Sequence, residues 1–347
     1  MPTGHHAFCR YEPAGVVVAI APWNFPLMLE TWKVAPALAW GNTVVLKPAE
    51  QSPSSATRLA RLATAAGLPD GVLNVVQGVG EEVGAVLTLD PRADRVTFTG
   101  SSATGRTVAA AAAANLAPVS LELGGKSANV IMADCDLDVA VEWSVRAIFG
   151  NAGQVCLAGS RVFVQRPVYD EFVARFVAAA DQLRLGDPRD PATSIGPLAN
   201  EEHHRKVTGY FHDLPAGAKV LCGGPAGDGT WFVRPTVLVD VPPDARVCTE
   251  EVFGPVAVVT PFATEGEAVT LANATRYGLN AMVFTEHLRT AHRIAGRLRA
   301  GTVWVNCFNV RDMRAPFGGV GDSGIGREGG TFSREFFTEP KAVVVEP

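Results

Sequence analysis

Between residue 15 and about residue 125 the chain alternates short β-branched runs with alanine-rich stretches. The runs GVVVAI (15–20), NTVVLK (42–47), GVLNVV (71–76), RVTFTG (95–100) and PVSLELGG (118–125) are apolar almost throughout, as strands covered on both faces are. Between the second and third, SPSSATRLARLATAAGLP reads as a helix, with Ser52 as N-cap, Pro53 in the first turn and Gly67 at the end. Strands separated by helices of this length predict βαβ units and a parallel sheet. A second alternation follows: helices at LDVAVEWSVRAIFG, VYDEFVARFVAAADQL, TEGEAVTLANAT and about 288–299, and strands at SRVFVQ, PVAVVTPF, AMVFTE and GTVWVNC. RLGDPRDPATSIGPLAN is a surface loop by composition. EPKAVVVEP is a lone terminal strand with nothing after it to pair with, an edge that invites another subunit.

At 347 residues, 47% hydrophobic and 19% charged, the chain is an ordinary globular sequence long enough for two domains. A net charge of −5 without basic runs argues against nucleic acid or an anionic membrane as partner. The alanine-rich VAAAAAANLAPV is too short to span a bilayer, and MPTGHHAFCR has no apolar core of a signal peptide. Six cysteines (9, 135, 156, 222, 248, 307) without CxxC pairs suit a reducing cytoplasm rather than disulfides or zinc. His5-His6 and His203-His204 occur without HExxH, so no metal catalysis is expected.

Several segments could carry chemistry. In FGNAGQVCLAGSRVFV, Cys156 follows a glycine-punctuated turn with no histidine, lysine or acid within four residues; alone it reads as a small buried hydrophobe. Glu122, in the apolar run SLELGGKS, is either a general base with a raised pKa or a hydrogen-bonded strand end. Asn24, in APWNFP, could donate to an oxyanion or cap the next helix. Lys47 and Glu50 of VLKPAEQSP stand at a strand's carboxyl end, where α/β sheets bind ligands. GVGEEVG (78–84) misses the dinucleotide fingerprint by one residue and is explained by a turn. FTGSSATGRT (98–107) would hold a phosphate at a helix N-terminus. Taken as a P-loop, with VIMAD (130–134) as the magnesium strand, it has Arg106 where the lysine belongs. Glu250, Glu251 and Phe253 lie in the loop EEVFGPV.

Together and in this order, PWNFP, NTVVLKPAE, FTGS, LELGGKS, GQVC, EEVFGP and PFGG…SGIGRE resemble the aldehyde dehydrogenase superfamily, from about Glu12 to Lys341. The resemblance implies an α/β fold with a Rossmann-type cofactor domain (15–124), an α/β catalytic domain (125–330) and small oligomerisation strands in residues 1–14 and 331–347. It implies Cys156 as nucleophile, forming a thiohemiacetal and then a thioester. Asn24 and the Cys156 N–H would hold the oxyanion, and Glu122 would activate the hydrolytic water. NAD would lie along Trp23, Lys47, Glu50, Gly80 and Ser101, with Leu123, Glu251 and Phe253 at the nicotinamide end. Glu50 on the 2′-hydroxyl favours NAD over NADP. NCFNVRDMRAPFGG, LETWKVAPALAWGNTVVLKPAE and CLAGSRVFVQ look like the muconic-semialdehyde branch, in which Arg311 and Arg314 would fork onto a substrate carboxylate. Two surface arginines beside Asp312 explain that segment equally well.

Family members usually carry a longer section before EPAGVVVAIAPWNF. A second expectation is therefore a truncated, weak or silent subunit exposing apolar surface. KAVVVEP resembles the family's terminal oligomerisation strand and RYEPAG the remnant of its partner hairpin, which implies a homodimer or homotetramer.

Overall fold

A computed structural model describes residues 4–227 and 229–346. Thus the first three residues of the 1–14 segment and the last of 331–347 lie outside the described residues. The chain forms two compact units: Met1–Glu122 with Asp312–Phe317 and Ile325–Pro347, and Leu123–Arg311 with Gly318–Gly324.

The first unit holds a two-stranded ribbon and a parallel sheet. The ribbon pairs β1 (His6–Pro13) antiparallel with β15 (Thr338–Val345), from His6 opposite Val345 to Pro13 opposite Thr338. The terminal strand is therefore not alone, as its position suggested; its partner lies at the other end of the same chain. The sheet contains β2 (Val16–Ile20), β3 (Thr43–Lys47), β4 (Leu73–Val75), β5 (Arg95–Thr99) and β6 (Val119–Glu122), in the order β6-β5-β2-β3-β4. Both immediate neighbours of β2 run parallel to it, as do the outer pairs. Counted from β2, this is the strand order 3-2-1-4-5 of a dinucleotide-binding fold. Its topological switch point falls between β2 and β5, outside whose carboxyl ends ligands bind.

The helix Pro26–Ala39 starts on a proline, whose missing N–H costs nothing in a first turn. It buries Leu29, Glu30, Lys33, Val34 and Ala37, in which 29/33/37 and 30/34/37 recur at three and four residues, so one stripe faces inward. Its Val34 and Ala37 pack with Val17, Ala19, Val44 and Leu46 of the sheet and with Ala56 and Phe337. The next helix covers Ser54–Ala65, with Pro53 at its N-cap position and no side-chain cap. Ser52 is instead held in the preceding turn by its N–H to the Ala49 carbonyl, so the expected cap does not form. Gly67 ends the helix as its sequence suggested, at φ +95°.

The second unit is built on β7 (Ala128–Ile131), β8 (Arg161–Gln165), β9 (Lys219–Pro225), β10 (Val233–Val239), β11 (Val256–Phe262), β12 (Asn280–Phe284) and β13 (Thr302–Val305). The order is β13-β12-β7-β8-β11-β10-β9, and only β9 runs antiparallel. The short β14 (Gly324–Ile325) stands at the β6 edge of the other sheet.

Candidate active site

In the first unit the strands of the parallel sheet deliver candidate residues at their carboxyl ends. Trp23 and Asn24 follow β2 and are partly buried. The next helix takes Phe25, not Asn24, as its N-cap position, which removes the bland reading of the asparagine. β3 ends on Lys47, buried to 2% exposure, whose Nζ donates to the Pro48 carbonyl at 3.1 Å and to Glu50 Oε2 at 3.4 Å. A fixed ammonium beside a half-exposed carboxylate supplies the donor and acceptor that a ribose diol requires.

Gly80 opens a π-helical turn, Gly80–Gly84, whose first turn carries Glu81 and Glu82; these acids disfavour an anion at that terminus. The helix Ser102–Ala113 has no acid in its first turn, and Ser101 caps it by accepting from the Thr104 N–H at 3.1 Å. A pyrophosphate is better matched there. Only Gly100 and Ser101 separate β5 from that helix, and Arg106 donates to the Ser102 carbonyl at 3.4 Å within it. A P-loop's long phosphate cradle is absent, which rejects the nucleotide-hydrolase reading. β6 ends on Glu122, at 4% exposure, with its carbonyl bound by the Gly100 N–H.

In the second unit a glycine turn packs against the segment bearing Cys156. A methyl group on Gly125 would stand 2.2 Å from the Cys156 carbonyl oxygen, so glycine is obligatory at that approach. The Gly125 N–H donates to Glu251 Oε1 at 2.8 Å. Burial pushes the Glu251 carboxyl up, and that N–H partly offsets the effect. Buried Ser323 pins the same turn: its carbonyl accepts from the Leu123 N–H, and its hydroxyl donates to the Gly124 carbonyl. Behind it Lys126 is buried and donates to the Val247 carbonyl at 2.7 Å, and desolvation lowers its pKa to about 7. Phe253 takes a left-handed φ of +59°, and its carbonyl is held by His203 Nε2 at 2.8 Å. Glu250, the neighbouring acid, is occupied by Tyr210 and Arg246.

Cys156 itself is partly exposed. Burial raises Cys135 to about 12 and also pushes Cys222, Cys248 and Cys307 up, so those four stay protonated near neutrality. Arg311 Nε donates to Asn309 Oδ1 at 2.7 Å. Arg314, fully on the surface, forks onto Asp312 at 2.6–3.1 Å, which commits the edge that a substrate carboxylate would need.

Comparison with known proteins agrees with these features. The aldehyde dehydrogenase family profile matches residues 1–343. A 2-hydroxymuconic semialdehyde dehydrogenase of Pseudomonas putida is 49% identical over 344 residues, spanning 96% of this chain and 71% of that protein. A 2-aminomuconic 6-semialdehyde dehydrogenase of a Pseudomonas species is 47% identical, spanning 99% and 72%. The NAD+ complex of an aldehyde dehydrogenase from Bacillus cereus superposes with a TM-score of 0.97 at 43% identity, covering 100% of this chain and 71% of that one. The chain belongs to the aldehyde dehydrogenase family. Its reaction class is NAD-dependent oxidation of an aldehyde, and its α/β architecture is that of the family.

Sequence reading missed Ser323, Lys126 and His203. LELGGKS held Lys126 in plain view, but nothing local says that its ammonium is buried. His203 appears in the sequence only as half of a histidine pair, and nothing local says that its ring is buried.

Proposed function

We propose that this chain oxidises a carboxylated semialdehyde of aromatic ring cleavage to the corresponding acid, through a thioester on Cys156. The Cys156 thiolate adds to the carbonyl carbon, forming the C–S bond and sending the π pair to oxygen. The Asn24 amide and the Cys156 N–H donate to that oxyanion. Bound NAD supplies the hydride acceptor, and loss of the hydride leaves the thioester. Glu122 takes a proton from water as the water adds; the C–S bond then breaks, releasing the acid and the thiolate. Lys47 and Glu50 would hold the adenosine ribose, with Gly80 toward the adenine, Ser101 toward the pyrophosphate and Trp23 along the cleft. Leu123, Glu251 and Phe253 would serve the nicotinamide end.

The single observation that carries this reading is the close packing of the Gly125 turn onto the backbone carbonyl of the partly exposed Cys156. The similarity to two muconic-semialdehyde dehydrogenases supports the substrate class. Of the two arginines, Arg311 is the better candidate for a substrate carboxylate, because it donates to the neutral Asn309 amide whereas Arg314 is forked onto the Asp312 carboxylate. Six free cysteines fit a cytoplasmic enzyme, and among the described residues no helix is long and apolar enough to cross a membrane. The ribbon exposes Phe8, Tyr11, Val344 and Val345, which supports assembly into a homodimer or homotetramer.

The test is NADH formation across a panel of neutral and carboxylated aldehydes, with wild type, Cys156→Ser and Arg311→Ala. Turnover by wild type and none by Cys156→Ser is expected, with KM raised in Arg311→Ala for carboxylated substrates alone. No NADH from wild type would favour the silent-subunit reading.

A further inference from the structure

Cys156 is reached through a backbone conformation that L-residues avoid. The helix Leu137–Phe149 is followed by Asn151 (φ 51°, ψ 36°) and Ala152 (φ 52°, ψ 34°), and then by Gly153 at φ 70°. Three successive left-handed residues make nearly a turn of the wrong hand, a conformation that asparagine and glycine tolerate and that strains Ala152 most. Such a segment persists only where its surroundings over-determine it. One constraint is steric: a Cβ on Gly153 would lie 2.2 Å from the Gly254 carbonyl carbon and oxygen, so the segment is pressed onto the EEVFGP loop.

The other constraint is Gln154, buried to 4% exposure. Its side-chain Nε2 and its own backbone N–H both donate to the Asn151 carbonyl at 3.1 Å. Its Oε1 accepts from the Ala199 N–H at 2.9 Å, across to the loop that precedes the helix Glu201–His212. One amide therefore closes the left-handed turn and ties it to a separate part of the same unit. Cys156 follows two residues later.

We propose that Gln154 is a positioning residue for the nucleophile, holding the turn at residues 151–153 in its left-handed form and so fixing where the Cys156 sulfur and N–H lie. This rests on the reading of Cys156 as nucleophile. Gln154 acts through its bonds to the Asn151 carbonyl and the Ala199 N–H, so it bears on how often the thiol is correctly placed, not on cofactor affinity.

The test compares wild type, Gln154→Leu and Gln154→Leu/Asn151→Gly. The measurements are kcat, KM for NAD, and the rate at which iodoacetamide alkylates Cys156 without cofactor, read on the Cys156 peptide by mass spectrometry. Gln154→Leu is expected to lower kcat about tenfold to a hundredfold, as a displacement of roughly 1 Å does. KM for NAD stays unchanged, and the Cys156 alkylation rate departs from wild type. Glycine at 151 enters the left-handed region without strain, so the double variant recovers much of kcat. Wild-type kcat and alkylation in folded Gln154→Leu would overturn the proposal, as would a loss that Asn151→Gly leaves unrelieved. If Gln154→Leu does not fold, Gln154→Glu carries the test: it keeps the acceptor toward Ala199 and sets an oxygen against the Asn151 carbonyl. Unchanged kcat in that variant would overturn the proposal too. Turnover surviving in Cys156→Ser would remove the nucleophile reading, while the alkylation rate would still report on the Gln154 clasp.

Discussion

Lys33 and Glu328 form an ion pair whose removal should be felt strongly when only one partner goes. Lys33 Nζ lies 2.8 Å from Glu328 Oε1 and 3.1 Å from Thr97 Oγ1, with the two side chains 0% and 9% exposed. At 2.8 Å and an effective dielectric constant near 20, the attraction is roughly 6 kcal/mol, largely offset by desolvation of both ions. Glu328→Gln leaves an ammonium buried in the helix Pro26–Ala39 without its counter-charge, costing about 3–5 kcal/mol. Lys33→Met/Glu328→Leu removes both charges and should lie within about 1 kcal/mol of wild type. For a unit of this size, the Glu328→Gln loss lowers Tm by roughly 10 °C. Thermal unfolding by far-UV circular dichroism of these proteins, with Glu328→Leu added to close the cycle with Lys33→Met and the double variant, gives the coupling energy directly. Single variants that each cost under about 1 kcal/mol and simply add would refute the buried-pair reasoning.

Two more outcomes follow from single groups. His203 is held neutral by burial, with its pKa lowered from 6.5 to about 4. The neutral form stabilises the fold above the unfolded value, and this contribution is lost as pH drops from 6.5 toward 4, about 3 kcal/mol in all. Urea titrations at a series of pH values should show that loss in wild type and a flatter profile in His203→Asn; identical slopes would contradict it. Gly125→Ala must push back the Cys156 carbonyl, 2.2 Å from the new methyl, so kcat should fall about a hundredfold while stability falls by about 1–3 kcal/mol. Steady-state kinetics beside thermal melts check this, and unchanged kcat would show that the turn does not set the nucleophile.

The parallel sheets were legible because each strand is a local apolar run between glycine and proline punctuation, and helix spacing dictates parallel pairing. Glu122 could be read as unusual because a carboxylate interrupts such a run. What escaped the sequence was long-range or conformational. β1 pairs with a strand more than 300 positions away, so HAFCRYEP carries no local sign of its partner. Lys33 and Glu328 lie 295 positions apart. At residues 151–153 glycine announces one left-handed position, but nothing marks Ala152, whose conformation is imposed by Gln154 and the Gly254 backbone. The hydroxyl of Ser52 marks it as a cap, yet the cap position falls one residue later, on Pro53, and the helix starts at Ser54.

The most direct measurement uses Glu122→Gln, in which the thiol is intact and the proposed base is gone. The variant is mixed with NAD and a semialdehyde, quenched in acid within one turnover, and the Cys156 peptide is weighed. The account predicts an acyl mass on Cys156, one NADH formed per chain, and then a stall. Full steady-state turnover, or a burst with Cys156 unmodified, would contradict it.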